Sequence, residues 1–151
     1  MARDMRYLGR NMRKVAQAIE QDVNEFTKDV ALQIQRAVIE GTPVDVGTAR
    51  SNWVLRVGSP FSFVYRAFAP GKHLGRGESA NMSAAIRQGQ GAIGARKTDQ
   101  PIYITNNLPY IGALNRGHSP QSASGFVQRA ISTGTRTAIG RFRFRNMGKV
   151  I

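Results

Sequence analysis

Apolar residues recur at spacings of three and four through the first quarter of the chain, at Val15, Ile19, Val23, Phe26, Val30, Ile34 and Val38. This spacing puts them on one face and predicts a single long amphipathic helix. We expect the helix to begin near Leu8 and to end before Gly41, because Gly followed by Pro43 is a stop signal. About thirty helical residues span roughly 45 Å, more than a domain of this size needs. The helix could lie across a sheet as the core helix, and part of it could also pack on a neighbouring subunit.

The remaining elements predict an α+β fold. Three segments rich in aromatic and β-branched residues are predicted as strands: 52–57, 61–68 and 101–105. A Gly-Ser-Pro turn separates the first two, which predicts a hairpin over 52–68. A short helix is expected over 81–88, and a longer one, weakened by Gly134, from about Ser124 to Ile139. The predicted architecture is a small, mostly antiparallel sheet packed against the N-terminal and C-terminal helices, with extended loops.

The length of 151 residues predicts one domain over 1–151. Its flanks are a basic N-terminal segment, 1–14, and a basic C-terminal arm, 141–151. Two Gly-rich loops, 69–78 and 89–100, hold little that could offset the entropy of ordering. We expect both to be poorly ordered in a lone subunit. Lys72 and Arg76 in the first loop are candidate interface residues.

The net charge of +13 is unevenly placed. Residues 1–45 hold seven basic and seven acidic side chains, whereas 46–151 hold fifteen basic ones against only Glu78 and Asp99. Such an excess implies an acidic partner, which could be nucleic acid, a membrane surface or an acidic protein. No apolar run reaches the roughly 20 residues that span a bilayer. We expect no membrane partner and assembly in a cytoplasm.

Catalytic, metal and cofactor sites are not indicated. The chain has no cysteine, and its two histidines, His73 and His118, lack nearby ligands at metal spacing. A literal Gly-x-Gly-x-x-Gly stands at 89–94, but a predicted helix precedes it and a strand follows, the reverse of the dinucleotide-binding arrangement. With two acids after Asp45, a Ser–His–acid triad is not expected either. We expect no enzyme, no cofactor and no metal.

The stretch from Thr42 to Trp53 is predicted to be a structural corner between helix and sheet. Asp45 and Gly47 are suited to a tight turn, because the carboxylate can accept backbone N–H bonds and Gly tolerates positive φ. The residues assigned to this corner are Pro43, Asp45, Gly47, Arg50 and Trp53.

A second distinctive stretch runs from Asn106 to Ile131. It predicts a strand end, a tight turn, a short apolar element, an exposed loop and a helix. The positions that define this order are Asn106, Pro109, Tyr110 and Gly117. Pro109 excludes a central strand, and Gly117 ends the apolar element.

Both blocks resemble a family of bacteriophage proteins. Two segments are similar to signature segments of the tail-completion or neck proteins of long-tailed phages (the minor tail protein Z group). They are Asn106-Asn-Leu-Pro-Tyr110 with the Gly117 ending and the Gly-apolar-apolar helix start that follows, and Thr42-Pro-Val-Asp-Val-Gly-Thr-Ala-Arg-Ser-Asn-Trp53. The blocks cover about a quarter of the chain. One departure stands at Asn115-Arg116-Gly117, where the family usually carries Glu before the glycine.

The resemblance implies a structural protein of the virion neck or upper tail. Such proteins form homo-oligomeric rings around the DNA channel, complete the tail and join it to the head-side connector. Implied partners are further copies of the chain, the tail terminator or tail tube, head–tail connector proteins, and the DNA that passes through. Two alternatives remain: a neighbouring head-closure or tail-terminator protein, and a sequence-nonspecific nucleic-acid-binding protein. The last is favoured by the charge. Six aromatic side chains could stack on bases, although packing of a sheet face on the long helix is the simpler expectation for them: Trp53, Phe61, Phe63, Tyr65, Phe68 and Tyr103.

The alternating run at the C-terminal end is the remaining candidate interface. It comprises Arg141, Phe142, Arg143, Phe144 and Arg145. Alternation in an extended segment puts both phenylalanines on one face and the arginines on the other. We expect the Phe face to be covered by the subunit's own sheet edge or by the sheet of an adjacent subunit. The arginines would face acidic protein or DNA.

Overall fold

The computed structural model describes residues 2–43, 47–69, 77–120 and 123–149, with side chains from Met5 onward. Its helices are α1 (Ala2–Gly41), α2 (Thr48–Ser51), α3 (Glu78–Gly94), α4 (Ile111–Asn115) and α5 (Phe126–Arg141). Its strands are β1 (Val54–Val57) and β2 (Ile102–Thr105), and a 3₁₀ turn follows at Met147–Lys149. The small antiparallel sheet packs against the long helices, so the predicted α+β class is confirmed.

The sheet in the described part of the chain has two strands rather than three. β1 pairs antiparallel with β2, with Val54 opposite Thr105 and Val57 opposite Ile102. The strand predicted over 61–68 is not formed, so the hairpin over 52–68 was wrong. Pairing therefore joins segments far apart in sequence, and the turn after Val57 leads away from the sheet.

Helices α1 and α5 pack antiparallel along one face. A Cβ built at Gly41 would lie 4.0 Å from Phe126 at the start of α5, and Phe142 after its end contacts Phe26. Halfway along, a Cβ at Gly134 would lie 2.5 Å from the backbone nitrogen of Ile34. Gly134 is therefore where the helix backbones approach most closely, and any side chain there would push them apart.

The core lies where α1, α3, α5 and the sheet meet. One buried cluster contains Val38, Ile39, Trp53, Ala85, Phe126 and Ala130. A second, further along α1, contains Ala31, Leu55 and Ile93. Trp53 meets Phe126 edge-to-face with ring centroids 6.4 Å apart. This contact fixes the start of the sheet against the start of α5.

Helix α3 is longer than the sequence predicts. It runs from Glu78 to Gly94, so the loop expected from residue 89 is helical as far as 94. Gly89 is buried, and a Cβ there would lie 1.8 Å from Oε1 of Gln35. Gln35 in turn donates to the carbonyls of Trp53 and Ala85 at 3.1 and 3.2 Å. Gly89 therefore lets α3 approach the buried side-chain amide of Gln35 closely. The loop predicted over 89–94 was wrong.

Helix α1 begins before Leu8, at Ala2, and extends beyond the body, by which we mean the part of the fold formed by α1, α3, α5 and the sheet. Its 40 residues correspond to roughly 60 Å. Because α5 has ended where Phe142 reaches Phe26, the first part of α1 extends past α5. Met5, Tyr7, Leu8 and Met12 are all more than half exposed. We call residues 5–19 the arm of α1.

Candidate assembly surfaces

Arg50 ties the end of α1 to the start of α3. Its Nε donates to the carbonyl of Thr42 at 3.0 Å and its Nη2 to that of Glu40 at 3.2 Å. Its Nη1 pairs with the carboxylate of Glu78, which is the first residue of α3. The guanidinium therefore satisfies carbonyls that α1 leaves unpaired at its C-terminal end. The geometry is that of a structural tie between the two helices.

Thr42 and Trp53 form a second buried link at this corner. Trp53 Nε1 donates to Thr42 Oγ1 at 2.7 Å, and Thr42 Oγ1 donates to the carbonyl of Val38 at 2.5 Å. Pro43 follows Thr42 directly, and Gly47 takes a positive φ of 81° as it leads into α2. Asp45, the acid assigned to this corner, lies outside the described residues.

Three side chains hold the backbone of residues 65–69. The side chain of Asn52 donates to the carbonyl of Tyr65 at 2.8 Å and accepts from the N–H of Tyr65 at 2.7 Å. Asn81 does the same for Ala69, at 2.8 and 2.6 Å. Ser51 Oγ accepts from the N–H of Phe68 at 3.2 Å. These bonds occupy groups that a strand would offer to a neighbour, and this is the physical reason that 61–68 forms no strand.

The two sequence blocks meet in the fold. Asn106 Nδ2 donates to the carbonyl of Ala49 in α2 at 2.9 Å, and its Oδ1 accepts from the N–H of Leu108 at 3.2 Å. Asn107 Nδ2 donates to the carbonyls of Phe61 and Phe63 at 2.7 and 3.1 Å. Adjacent asparagines thus join the end of β2 to the corner and to the segment that follows β1.

The second block also supplies the cap of α5. Gly125 precedes that helix and brings no side-chain cap, but Asn115 Oδ1 accepts from the N–H of Val127 at 3.0 Å. Asn115 is the last residue of α4, and Gly117 with φ of 91° then turns the chain. Pro109 and Tyr110 lie on the surface.

The segment after α5 folds back onto α1 and is held by a single carboxylate. Asp22 is 3% exposed and accepts from the backbone N–H groups of Arg145, Asn146 and Met147 at 3.0 to 3.2 Å. The side chain of Asn146 adds a bond at 2.8 Å. Burial alone would raise the pKa of Asp22, but the bonds from Asn146, Met147 and Arg145 together lower that pKa below its ordinary value.

The aromatic side chains of this segment contact α1 rather than a sheet. The ring centroid of Phe142 lies 4.6 Å from that of Phe26 and 4.9 Å from that of Phe144. Arg143 donates to the carbonyl of Phe142 at 2.6 Å, and Arg141 and Arg145 are exposed. Cover by the subunit's own sheet edge was therefore the wrong expectation, and cover by the sheet of an adjacent subunit stays a prediction. The run forms no strand, because its N–H groups after Phe144 turn towards Asp22.

A shallow groove of about 340 Å³ lies between α1 and this segment. Phe26 and Phe142 form its apolar part, and Asp22, Glu25 and Asp29 its acidic part. Arg141, Arg143 and Arg145 also line it. Lys72 and Arg76, the other candidate interface residues, lie outside the described residues.

The aromatics of 61–68 form an exposed cluster instead of core. Phe61 stacks on Tyr65 with ring centroids 4.8 Å apart, and Phe63 and Phe68 contact these rings at 5.8 and 6.0 Å. Phe63 is 73% exposed. The expected packing of these side chains on the long helix was therefore wrong, and of the aromatics near the corner it is Trp53 that enters the core.

Further apolar side chains are exposed elsewhere. Ile131 and Ile139 lie on the outer face of α5, and Phe144 is about half exposed. In the described part of the chain no group of three or more His, Cys, Asp or Glu side chains could hold a metal ion. None of the helices described here is long and apolar enough to cross a bilayer.

The sequence analysis missed the buried polar residues Asp22, Gln35, Ser51, Asn52 and Asn81. A signal existed for the first two. Asp22 and Gln35 stand at core-facing positions of α1, between apolar residues at helical spacing, where a polar side chain needs a buried partner. The partners themselves lie far along the chain, so the sequence could indicate the need but not the contact.

Comparison of the chain with protein-family models, with curated proteins and with solved structures finds no match.

Proposed function

We propose that this protein is a structural component of a phage virion that completes the tail and joins it to the head-side connector, as part of a ring around the DNA channel. The observation that carries the proposal is the meeting of the two sequence blocks. The blocks that resemble the tail-completion family are joined by the bond from Asn106 to Ala49 and enclose the buried Trp53. Residues that are distant in sequence thus share one structural unit.

The distribution of apolar surface supports a role in assembly. The arm of α1, the 61–68 aromatics and the outer face of α5 each expose large apolar side chains. Exposed apolar surface of this extent marks contacts with other macromolecules. A ring requires two different surfaces on each subunit, because its interfaces are heterologous. The chain offers enough separate apolar surfaces for a neighbour on each side and for a further tail or connector protein.

The mechanism in this proposal is assembly without chemistry. The body formed by α1, α3, α5 and the sheet is a fixed support, and the exposed surfaces dock on neighbouring copies, on the tail terminator or tail tube, and on the connector. The excess of arginine favours acidic protein partners. A channel that releases DNA rapidly should not hold phosphates with a ring of arginines.

The test is a joining assay. Phage particles would be assembled without this protein, and purified protein would then be added to the separate heads and tails. We expect joined, infectious particles, counted by electron microscopy and by plaque titre. The variant Ile131→Ser/Ile139→Ser should fold and fail to join, whereas Ser132→Ala/Arg136→Ala, on exposed polar positions of the same helix, should join normally. Full joining in particles that lack the protein would refute the role.

Nucleic-acid binding is the second candidate, because the aromatic cluster lies beside arginine. A groove of about 430 Å³ is lined by Arg56, Phe61 and Tyr65 among others. Exposed rings beside arginine are typical of surfaces that stack single-stranded bases. Under this alternative, affinity for oligonucleotides falls steeply with salt, with a slope near −0.7 per phosphate for single strands, and Phe63→Ala/Tyr65→Ala weakens it. Weak binding that does not depend on these rings would exclude this candidate.

A head-closure or terminator protein of the same neck would share this assembly mechanism and differ in position. A particle map that locates the chain relative to the tail terminator separates those roles.

A further inference from the structure

The two edges of the sheet differ in their hydrogen bonding. At the outer edge of β1, the side chain of Gln88 donates to the carbonyl of Leu55 at 2.9 Å and accepts from the N–H of Leu55 at 3.2 Å. Gln88 belongs to α3, which packs along β1. Its amide takes the place of a neighbouring strand, so this edge is closed to further pairing at Leu55.

The outer edge of β2 is open. Both backbone groups of Leu55 point away from β2, so Leu55 and its partner Ile104 form a pair that is not hydrogen-bonded, and Ile104 points its own N–H and C=O away from β1. Alternation gives Ile102 the same direction, in agreement with the bond from the Gly58 N–H to the Pro101 carbonyl at 2.9 Å. In the part of the chain that the structure describes, nothing bonds the outward backbone groups of Ile102 and Ile104.

Strand β2 also lacks the features that keep an edge strand from pairing, which are charged side chains, an internal proline and a bulge. Its sequence is Ile102-Tyr-Ile-Thr105, it pairs with β1 in continuous register, and Pro101 precedes it. Each of its residues is partly exposed, whereas Val54 and Leu55 of β1 are 2% and 0% exposed. The edge of β2 is therefore where this sheet can accept a further strand.

The open edge lies on the same side of the molecule as α5. Helices α3 and α5 lie on different sides of α1, because Ile34 approaches α5 and the next residue, Gln35, approaches α3. Helix α3 packs along β1. Ile104 of β2 packs against the cluster that contains Phe126 and Ala130 of α5. A strand added to β2 would therefore lie above α5.

Helix α5 presents apolar side chains towards this position. Val127 packs against the same cluster as Ile104, and Ile131 follows one helical turn later on the same flank. Ile131 is 48% exposed. Every second side chain of an added strand would point towards α5. The position therefore suits an extended segment with apolar side chains at alternate positions.

The space below the added strand decides which kind of partner fits. Strand β2 of a second folded copy would bring its own α1, which packs beneath it, and α5 of the first copy already fills that space. An extended arm or tail has no helix beneath it and meets no such obstacle.

We propose that the open edge of β2 binds an extended segment of another protein chain, which adds as a third, antiparallel strand and covers Ile131. The outward N–H and C=O groups of Ile102 and Ile104 select an extended backbone, and the flank of α5 selects its apolar side chains. This inference goes beyond the proposed role in the virion, and its test on purified protein does not depend on that role.

The experiment measures amide exchange by NMR in the full chain, alone and with a peptide. In the chain alone, the amides of Ile102 and Ile104 should exchange at least about tenfold faster than those of Tyr103 and Thr105, which bond to β1. The probe is a peptide of about ten residues that alternates valine and threonine, with a glutamate at each end for solubility. It should slow exchange at Ile102 and Ile104 and bind with a dissociation constant on the order of 1 mM or below.

Two methylated peptides give the matched control. In antiparallel pairing, the valines that face α5 also turn their N–H groups towards β2, so methylation of the valine nitrogens should abolish binding. Methylation of the threonine nitrogens, which point away from β2, should preserve it. Ile131→Ser should weaken binding about tenfold, and Ile131→Val should retain it, in chains whose circular dichroism is unchanged.

The proposal is overturned by any of the following results. Equally slow exchange at all four amides in a monomeric chain means that its own residues cover the edge. Protection of Ile102 and Ile104 in a dimer of the chain alone means that a second copy occupies the edge. Equal binding by both methylated peptides, or binding that Ile131→Ser leaves unchanged, means that the peptide attaches elsewhere. Unchanged exchange at about 5 mM peptide means that the edge accepts no strand.

Discussion

At the scale of single residues, the hydroxyl of Thr42 has two roles in the buried corner. It accepts from Trp53 Nε1 and donates to the carbonyl of Val38. Thr42→Val keeps the shape and leaves the indole N–H without an acceptor, so the free energy of unfolding should fall by about 1–3 kcal/mol. Urea denaturation followed by Trp53 fluorescence measures this loss.

The control for this substitution is Thr137→Val. Thr137 Oγ1 makes the same helical bond, to the carbonyl of Thr133 at 2.9 Å, but lies on the exposed side of α5. Its loss should change stability by no more than about 0.5 kcal/mol. Equal effects at the two positions would show that the Trp53 bond contributes nothing.

Substitution of Gly134 tests the contact between α1 and α5. A Cβ there would lie 2.5 to 2.7 Å from backbone atoms of Gln33 and Ile34. Since backbone cannot yield as a flexible side chain does, Gly134→Ala should destabilise the fold by about 1–3 kcal/mol. Gly140 in the same helix has nothing within 4 Å of its Cβ position, and Gly140→Ala should raise stability by about 0.5–1 kcal/mol. Thermal unfolding of both variants gives the comparison, and an equal gain at both positions would contradict the close contact.

These glycines also show what sequence reasoning could not supply at this scale. Gly134 was expected only to weaken its helix, and Gly89 to mark a loop. Both lie inside helices where another element approaches closely, Ile34 of α1 in one case and Gln35 in the other. Helix propensity counts the local cost of Gly but carries no information about the partner across the contact. Gly41 and Gly117, which act locally at helix ends, were predicted correctly.

At the scale of elements, the C-terminal segment depends on the charge of Asp22. Its lowered pKa means that the folded state binds the proton less readily than the unfolded state. The stabilisation that charged Asp22 gives the C-terminal segment is therefore complete above pH 3.8, the ordinary pKa of this carboxyl. It is lost as the pH falls through the lowered pKa. We expect the segment to leave α1 upon acidification below about pH 4. Amide NMR signals of Arg145, Asn146 and Met147 should report the release.

Two variants make this expectation specific. Asp22→Asn removes one acceptor oxygen, so the three amides should exchange rapidly at neutral pH and show no acid transition. Asp99→Asn, at an exposed loop position, should leave their transition unchanged. Signals that stay constant down to about pH 2 in the unaltered chain would mean that Asp22 does not control the segment.

The elements predicted correctly are those with a local signal. The period of α1, the apolar stretch of α4 and the start of α5 after Ser124 depend on residues within a few positions of one another. The segment 61–68 has strong strand composition but forms no strand, because Asn52 and Asn107 bond its backbone from elsewhere in the chain. Composition reports what a segment prefers. Long-range amide bonds decide here what it forms.

At the scale of the whole molecule, the class of the fold followed from the sequence but the roles of the surfaces did not. The α+β architecture rests on helix period and strand composition, and it is confirmed. Candidate surfaces were placed at the C-terminal run and at Lys72 and Arg76, whereas the largest exposed apolar side chains of the described chain include Met5, Met12 and Phe63. An apolar stripe on a helix has the same sequence pattern whether residues of its own chain or of another chain cover it. Only the path of α5 and of the segment after it shows which part of α1 the described chain leaves exposed.

That division of α1 into a covered and a free part gives the last prediction. Deleting residues 1–14 removes the described side chains from Met5 to Lys14, which lie outside the core, so the free energy of unfolding of the body should change by no more than about 0.5 kcal/mol. Deleting residues 142–151 uncovers Phe26 and removes the N–H groups from which Asp22 accepts, so it should destabilise the fold by about 2 kcal/mol, the contribution of burying an aromatic side chain. Chemical denaturation at a protein concentration low enough to keep the chain monomeric compares the two. If the arm deletion costs as much as the C-terminal deletion, the arm packs on the body of its own chain, and this prediction is wrong.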